Sequence, residues 1–77
     1  MATNPTAQRV AAEVRANLAR LRISRQSFAD SLDMSLSAAT RRLNGDVPFT
    51  VDEIYRAAEV LDIAPTSLLP GELTTTK

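Results

Sequence analysis

Residues 24–45 read Ser24-Arg25-Gln26-Ser27-Phe28-Ala29-Asp30-Ser31-Leu32-Asp33-Met34-Ser35-Leu36-Ser37-Ala38-Ala39-Thr40-Arg41-Arg42-Leu43-Asn44-Gly45, and the fold follows from how this stretch divides. Ser24 is placed to cap a helix, its hydroxyl accepting from an early backbone N–H, and Phe28, Ala29 and Leu32 give that helix an apolar face as far as about Leu32. Asp33 tolerates left-handed backbone better than most residues and, with the apolar Met34, makes a tight turn. Ser35 caps a second helix, which carries Leu36, Ala39 and Leu43 on its inner side and stops at Asn44-Gly45, where glycine suits the left-handed position that follows a helix. Two short helices around a tight turn are the signature of a helix-turn-helix. Ala29 and Ala39 place small side chains where the pair crosses, so the two axes approach closely.

Working outward, Thr6 to Arg22 carries Val10, Val14, Leu18 and Leu21 at spacings of four, four and three, which puts them on one stripe of a helix. Arg9, Arg15, Arg20 and Arg22 lie off that stripe. On the other side, Asp46 to Phe49, with Pro48, forms a loop, and Thr50-Val51-Asp52-Glu53 has the spacing of a capping box. Ile54, Ala57, Ala58 and Leu61 then repeat at helical spacing until about Asp62, ahead of Ala64-Pro65. A last short turn from Pro65 to Leu69 is broken by Pro70-Gly71. One helix-turn-helix domain over 6–70 is therefore expected, between flexible tails of 1–5 and 71–77. Val10, Val14, Leu18, Phe28, Leu32, Leu61 and Leu68 are its predicted core. Leu68, Leu69 and Pro70 either offer an apolar contact surface or cover that core.

Composition narrows the function. Seventy-seven residues suffice for one small core, with 44% apolar and 23% charged residues and only two Gly and four Pro. With neither Cys nor His, disulfides, thiolate or imidazole metal sites and the usual nucleophile-base pairs are excluded by inventory. No enzymatic activity, cofactor, metal or small-molecule ligand is expected. No apolar run approaches membrane-spanning length, so a cytoplasmic protein is expected, in a bacterial cell or a phage-infected host. The formal net charge is zero, yet its distribution is lopsided. Residues 9–42 hold seven Arg against Glu13, Asp30 and Asp33, a balance of plus four; from 46 onward the balance is minus four. Eight of the nine cations are Arg, whose planar fork suits phosphates and guanine edges.

The segment Ser24 to Leu69 resembles the phage repressor and Cro type of helix-turn-helix domain, also called the XRE type. The likeness rests on Phe28-Ala29, Leu32 before the turn, Ser35 as a cap, Arg41-Arg42-Leu43-Asn44-Gly45, Phe49-Thr50-Val51-Asp52-Glu53-Ile54 and Leu61-Asp62-Ile63. Two positions depart from the pattern: Asp33 stands where glycine is usual, and Leu36 where many relatives carry a polar reader. The resemblance implies an all-α, compact five-helix lambda-repressor-like domain that binds operator DNA and represses transcription. It also implies binding as a homodimer, one that forms either before or only on DNA, across half-sites one helical turn apart.

Helical geometry then distributes the roles. With Ala39 set at the core, Leu43 falls on the same side, and Ser37, Thr40, Arg41 and Asn44 fall opposite, toward the groove. Arg41 is the foremost base-reading candidate, because a guanidinium gives two parallel bonds to guanine O6 and N7. Ser37 and Thr40 bond to base edges, or Thr40 offers its methyl to thymine, and Leu36 either packs on a thymine methyl or closes the core. Phosphate-contact candidates are Arg25 in the first turn of its helix, Ser35, Arg42 and Asn44. Arg42 has the alternative of an internal pair with an acid such as Asp30, and Asn44 that of a left-handed helix stop. The rival class is a protein-interaction module, an antitoxin or adaptor, docking through the acidic C-terminal half.

Overall fold

A computed structural model describes residues 5–70. They form α1 (Pro5–Leu21), α2 (Arg25–Ser31), α3 (Leu36–Leu43), α4 (Val51–Leu61) and a single 3-10 turn over Pro65–Leu68, with no strand among the described residues. Pro5 opens α1, where its fixed φ and missing N–H cause no loss. The helix thus starts one residue before the expected Thr6. The rest of the two anticipated tails, 1–4 and 71–77, lies outside the described residues. In place of a fifth α-helix, the described chain carries only the 3-10 turn.

Each of the three later helices begins at the expected cap. Ser24 Oγ accepts from Ser27 N at 3.0 Å, and Ser35 Oγ accepts from Ala38 N at 3.1 Å. At Thr50 the capping box is complete: Thr50 Oγ1 accepts from Glu53 N at 3.1 Å, and Glu53 Oε1 accepts from Thr50 N at 3.0 Å.

All four α-helices end in the same way, which was visible in the sequence at only two of them. Arg22, Asp33, Gly45 and Asp62 each take a left-handed φ, of 58°, 59°, 81° and 57°. In each case the left-handed residue's N–H reaches back three residues and the next N–H reaches back five. The longer bonds are Ile23 N to Leu18 O, Met34 N to Ala29 O, Asp46 N to Arg41 O and Ile63 N to Ala58 O, at 2.9 to 3.0 Å. This is the Schellman stop, in which an apolar residue after the left-handed one folds back onto the helix. Ile23, Met34 and Ile63 do so, packing against the core; at α3 that position is Asp46, which is exposed. The left-handed stop of α3 is Gly45 alone, since Asn44 has φ −86° and ψ −8°.

All seven predicted core residues are buried, joined by Leu43, Phe49, Ala57 and Ala58 in one cluster. Phe28 and Phe49 meet edge to face, their centroids 6.2 Å apart, so the loop before α4 closes over α2. Leu68 is fully buried, Leu69 packs against the same cluster and Pro70 is buried. These residues therefore cover the domain's own core and are not a free contact surface. Leu21 departs from the predicted stripe: at the helix end it is 39% exposed, while the small Ala7 and Ala11 are buried in its stead.

Candidate nucleic-acid interface

The helix that the sequence singles out is held by packing against α2 and by side-chain bonds from α1 and α4. Ala39 of α3 and Ala29 of α2 are both fully buried, which lets the two helices cross at close range. The last four carbonyls of α3, left over by any helix, all find partners. Thr40 O accepts from Asn44 N, Arg42 O from Gly45 N, and Arg41 O from Asp46 N. Leu43 O, which no backbone N–H reaches, accepts from Arg15 Nη1 on α1. A cation there also lies at the negative end of the helix dipole.

From the other side, Arg42 donates from Nε to Glu53 Oε1 at 2.8 Å, and from Nη1 to Ala38 O at 3.2 Å. Both partners keep about a fifth of their side-chain surface, 20% and 19%, so the pair is only partly shielded. The internal pairing of Arg42 thus forms with Glu53 rather than with Asp30, whose Oδ1 accepts from Gln26 Nε2 at 3.0 Å. Glu53 serves two helices at once, since the oxygen that takes Arg42 also closes the capping box at Thr50. Sequence reasoning missed both Arg15 and Glu53 as supports of α3. The only signal for Arg15 was its place one residue after Val14, on the rim of the buried stripe.

What α3 turns outward is the predicted set. Ser37, Arg41 and Asn44 are exposed, Thr40 is half-buried, and Leu36 keeps 43% of its surface, so it does not close the core. Among the described residues, the side chains of Arg41, Asn44 and Ser37 make no hydrogen bond or ion pair. Arg41 is thus an unengaged guanidinium next to a neutralised one. Ser35 Oγ accepts from Ala38 N and, within the described residues, donates to nothing. Arg25 at the start of α2 is exposed and likewise unpaired among the described residues. The geometry therefore offers three neutral polar side chains (Ser37, Thr40 and Asn44), one apolar side chain and one cation unpaired among the described residues along α3 and its C-cap, with a second such cation at the head of α2.

No cluster of three metal-ligating side chains occurs among the described residues, and no helix of theirs is long and apolar enough to cross a membrane. Among curated proteins, none matches the chain. The model of the BetR domain family matches residues 6–77, almost the whole sequence. That family is helix-turn-helix-like and DNA-binding, and a DNA-binding regulatory role goes with it. With a capped helix pair crossing on two alanines and an unoccupied polar face on its second helix, the chain belongs to the BetR domain family.

Proposed function

We propose that this protein is a sequence-specific transcriptional regulator, a Cro-type repressor of phage or prophage origin with a lambda-repressor-like arrangement, acting in the cytoplasm. It reads operator DNA in the major groove with the helix framed by Ser35 and Asn44. The observation that carries this reading is that α3 is held from behind by α1, α2 and α4, while Leu36, Ser37 and Arg41 project from it unengaged. A rigid rod with uncommitted donors on one side is what groove recognition requires, because base edges discriminate only against side chains held in fixed positions.

Arg41 is assigned to guanine, where a bidentate contact contributes about 1–3 kcal/mol of discrimination. Ser37, Thr40 and Leu36 read the neighbouring base edges or thymine methyls. Arg25, Ser35 and Asn44 touch phosphate. Arg42 reaches phosphate only by leaving Glu53, so its first role is to hold α3. Two copies engage half-sites about 34–36 Å apart, since one recognition helix spans only a few base pairs.

The test is a gel shift on random duplex at graded salt, followed by selection of bound duplexes from a random pool. Binding that weakens steeply with salt is expected, as cation-phosphate contacts release counterions. Arg41→Ala should then flatten the preference at one base pair of the selected site. An unchanged ranking of operator variants would remove Arg41 as a base reader. No retardation at any salt would instead favour an antitoxin or adaptor that docks through its acidic half.

A further inference from the structure

The exposed side of α4 is not what the outer side of a solvated helix ordinarily looks like. Val51, Asp52, Tyr55, Arg56 and Glu59 all lie on it, and Val51 and Tyr55 keep 69% and 60% of their surface. These are the two most exposed of the large apolar residues in the described chain. They stand one turn apart, so they form a single apolar strip. Asp52 and Arg56 make a parallel strip beside it, also one turn apart. Neither Asp52 nor Arg56 has a hydrogen-bond or ion-pair partner among the described residues.

We infer that this face of α4 is the self-association surface of the protein, and that its occupant is the α4 face of a second copy, packed antiparallel about a twofold axis. The inference rests on the proposed reading of paired half-sites and names what joins the pair. Symmetry fixes how the two strips meet. A twofold axis perpendicular to two antiparallel helices keeps each lateral strip on its own side while reversing its direction. With the axis near residues 53 and 54, each Val51 meets the other copy's Tyr55, and each Asp52 meets the other copy's Arg56. Both apolar contacts and both ion pairs therefore occur twice, and no like charges face each other within these strips.

A parallel twofold pairing crosses the strips and sets Val51 opposite Asp52 and Tyr55 opposite Arg56, while an antiparallel pairing shifted to centre on residue 52 sets Asp52 opposite Asp52. The patch is small. Eleven residues of helix measure about 16 Å, so the contact falls well short of the about 800 Å² per partner of a stable interface. Pairing is consequently weak in free solution and strengthened when DNA holds two copies side by side. The Arg42–Glu53 bond ties the first turn of α4 to α3, so joining two copies through α4 also sets the relation between their recognition helices.

The decisive experiment uses charge reversal on the full chain, with sedimentation equilibrium as the readout and circular dichroism to confirm folding. Wild type should self-associate with a dissociation constant on the order of 0.1 to 1 mM. Asp52→Arg makes all four facing charges basic and Arg56→Asp makes all four acidic, so each variant alone should be monomeric. Mixed in equal amounts, the two should form a heterodimer, and the double variant Asp52→Arg/Arg56→Asp should regain self-association. Because Asp52 lies in the first turn of α4, Val51→Ser/Tyr55→Ser serves as a second, helix-compatible disruption and should also give a monomer. Wild type that stays monomeric to about 1 mM, or singles that fail to pair when mixed although folded, would overturn the inference. DNA binding is read separately: operator binding without self-association sinks this surface alone, while self-association without DNA binding sinks the regulatory reading alone.

Discussion

Replacing Gly45 with alanine should weaken the domain more than any other single methyl added at a helix end. Two penalties coincide there. Gly45 has φ +81°, a backbone state that costs an L side chain about 1–2 kcal/mol. It is also buried against α1: a Cβ at this position would lie 2.9 Å from Gln8 Cγ and 3.0 Å from Gln8 Cα. The first contact is relieved by moving a flexible side chain, but the second is with backbone and needs α1 and the end of α3 to separate. Overpacking of that kind typically costs about 1–3 kcal/mol. Alanine recovers about 0.4–1 kcal/mol through its smaller unfolded-state entropy, leaving a net loss of about 1–4.5 kcal/mol. A domain this size has a stability of about 4–12 kcal/mol in total, and each kcal/mol lost lowers its Tm by roughly 4–8 °C. Urea melts followed by circular dichroism measure the loss. Gln8→Ala combined with Gly45→Ala should recover only the side-chain part, less than half. A loss below about 1 kcal/mol, or full rescue by Gln8→Ala, would show that the approach of α1 to the end of α3 is not backbone-limited.

Four further outcomes are expected. Asp33→Gly and Asp62→Gly relieve left-handed strain at exposed stops and should each raise stability by a few tenths of a kcal/mol up to about 1 kcal/mol, seen as a higher urea midpoint at unchanged slope. Arg15→Met keeps the stem but leaves Leu43 O without its donor, so it should cost about 1–2 kcal/mol, and Arg15→Lys should restore part of that in the same melts. Thr50→Ala removes one half of the capping box and should cost about 1 kcal/mol by thermal melt. Arg25→Ala should weaken binding to all duplexes alike and reduce the salt slope by about 0.9, measured by fluorescence anisotropy across a salt series.

Much of this fold was legible because the deciding signals were local. Ser24, Ser35 and Thr50 act on backbone groups two or three residues away, so a cap can be read wherever its spacing occurs. The apolar stripes were readable for the same reason. The repeated left-handed stop was legible at Asp33 and Gly45 but not at Arg22 or Asp62. Arginine carries no local preference for that conformation, and what selects it is the apolar Ile23 that must reach the core. The candidate site divides along the same line. The outward arc of α3 follows from angles along one helix, whereas the partners of Arg42 and Arg15 lie eleven and twenty-eight residues away. No spacing rule selects Glu53 over Asp30 as the acid that Arg42 meets.

The supports of α3 explain why its two adjacent arginines cannot share one role. Arg41 and Arg42 are separated by about 100° around the helix, so one points at solvent and the other at α4. An arginine bound to a carboxylate presents little net charge, and drawing it toward phosphate would give up the Glu53 bond and expose the start of α4. An arginine without an internal partner has nothing to give up. On the proposed reading, DNA would meet a helix whose inner guanidinium is already occupied in fixing its position, and whose outer guanidinium has no internal partner among the described residues. The arrangement makes a checkable asymmetry. Arg42→Ala should lower stability and, through looseness of α3, weaken all duplexes together, by an amount that Glu53→Gln reproduces in part. Arg41→Ala should leave the stability within about 0.5 kcal/mol of wild type and alter only the choice among sequences. If Arg41→Ala destabilised the fold, or if Arg42→Ala changed sequence preference at unchanged stability, the assignment of inner support and outer reader would be reversed.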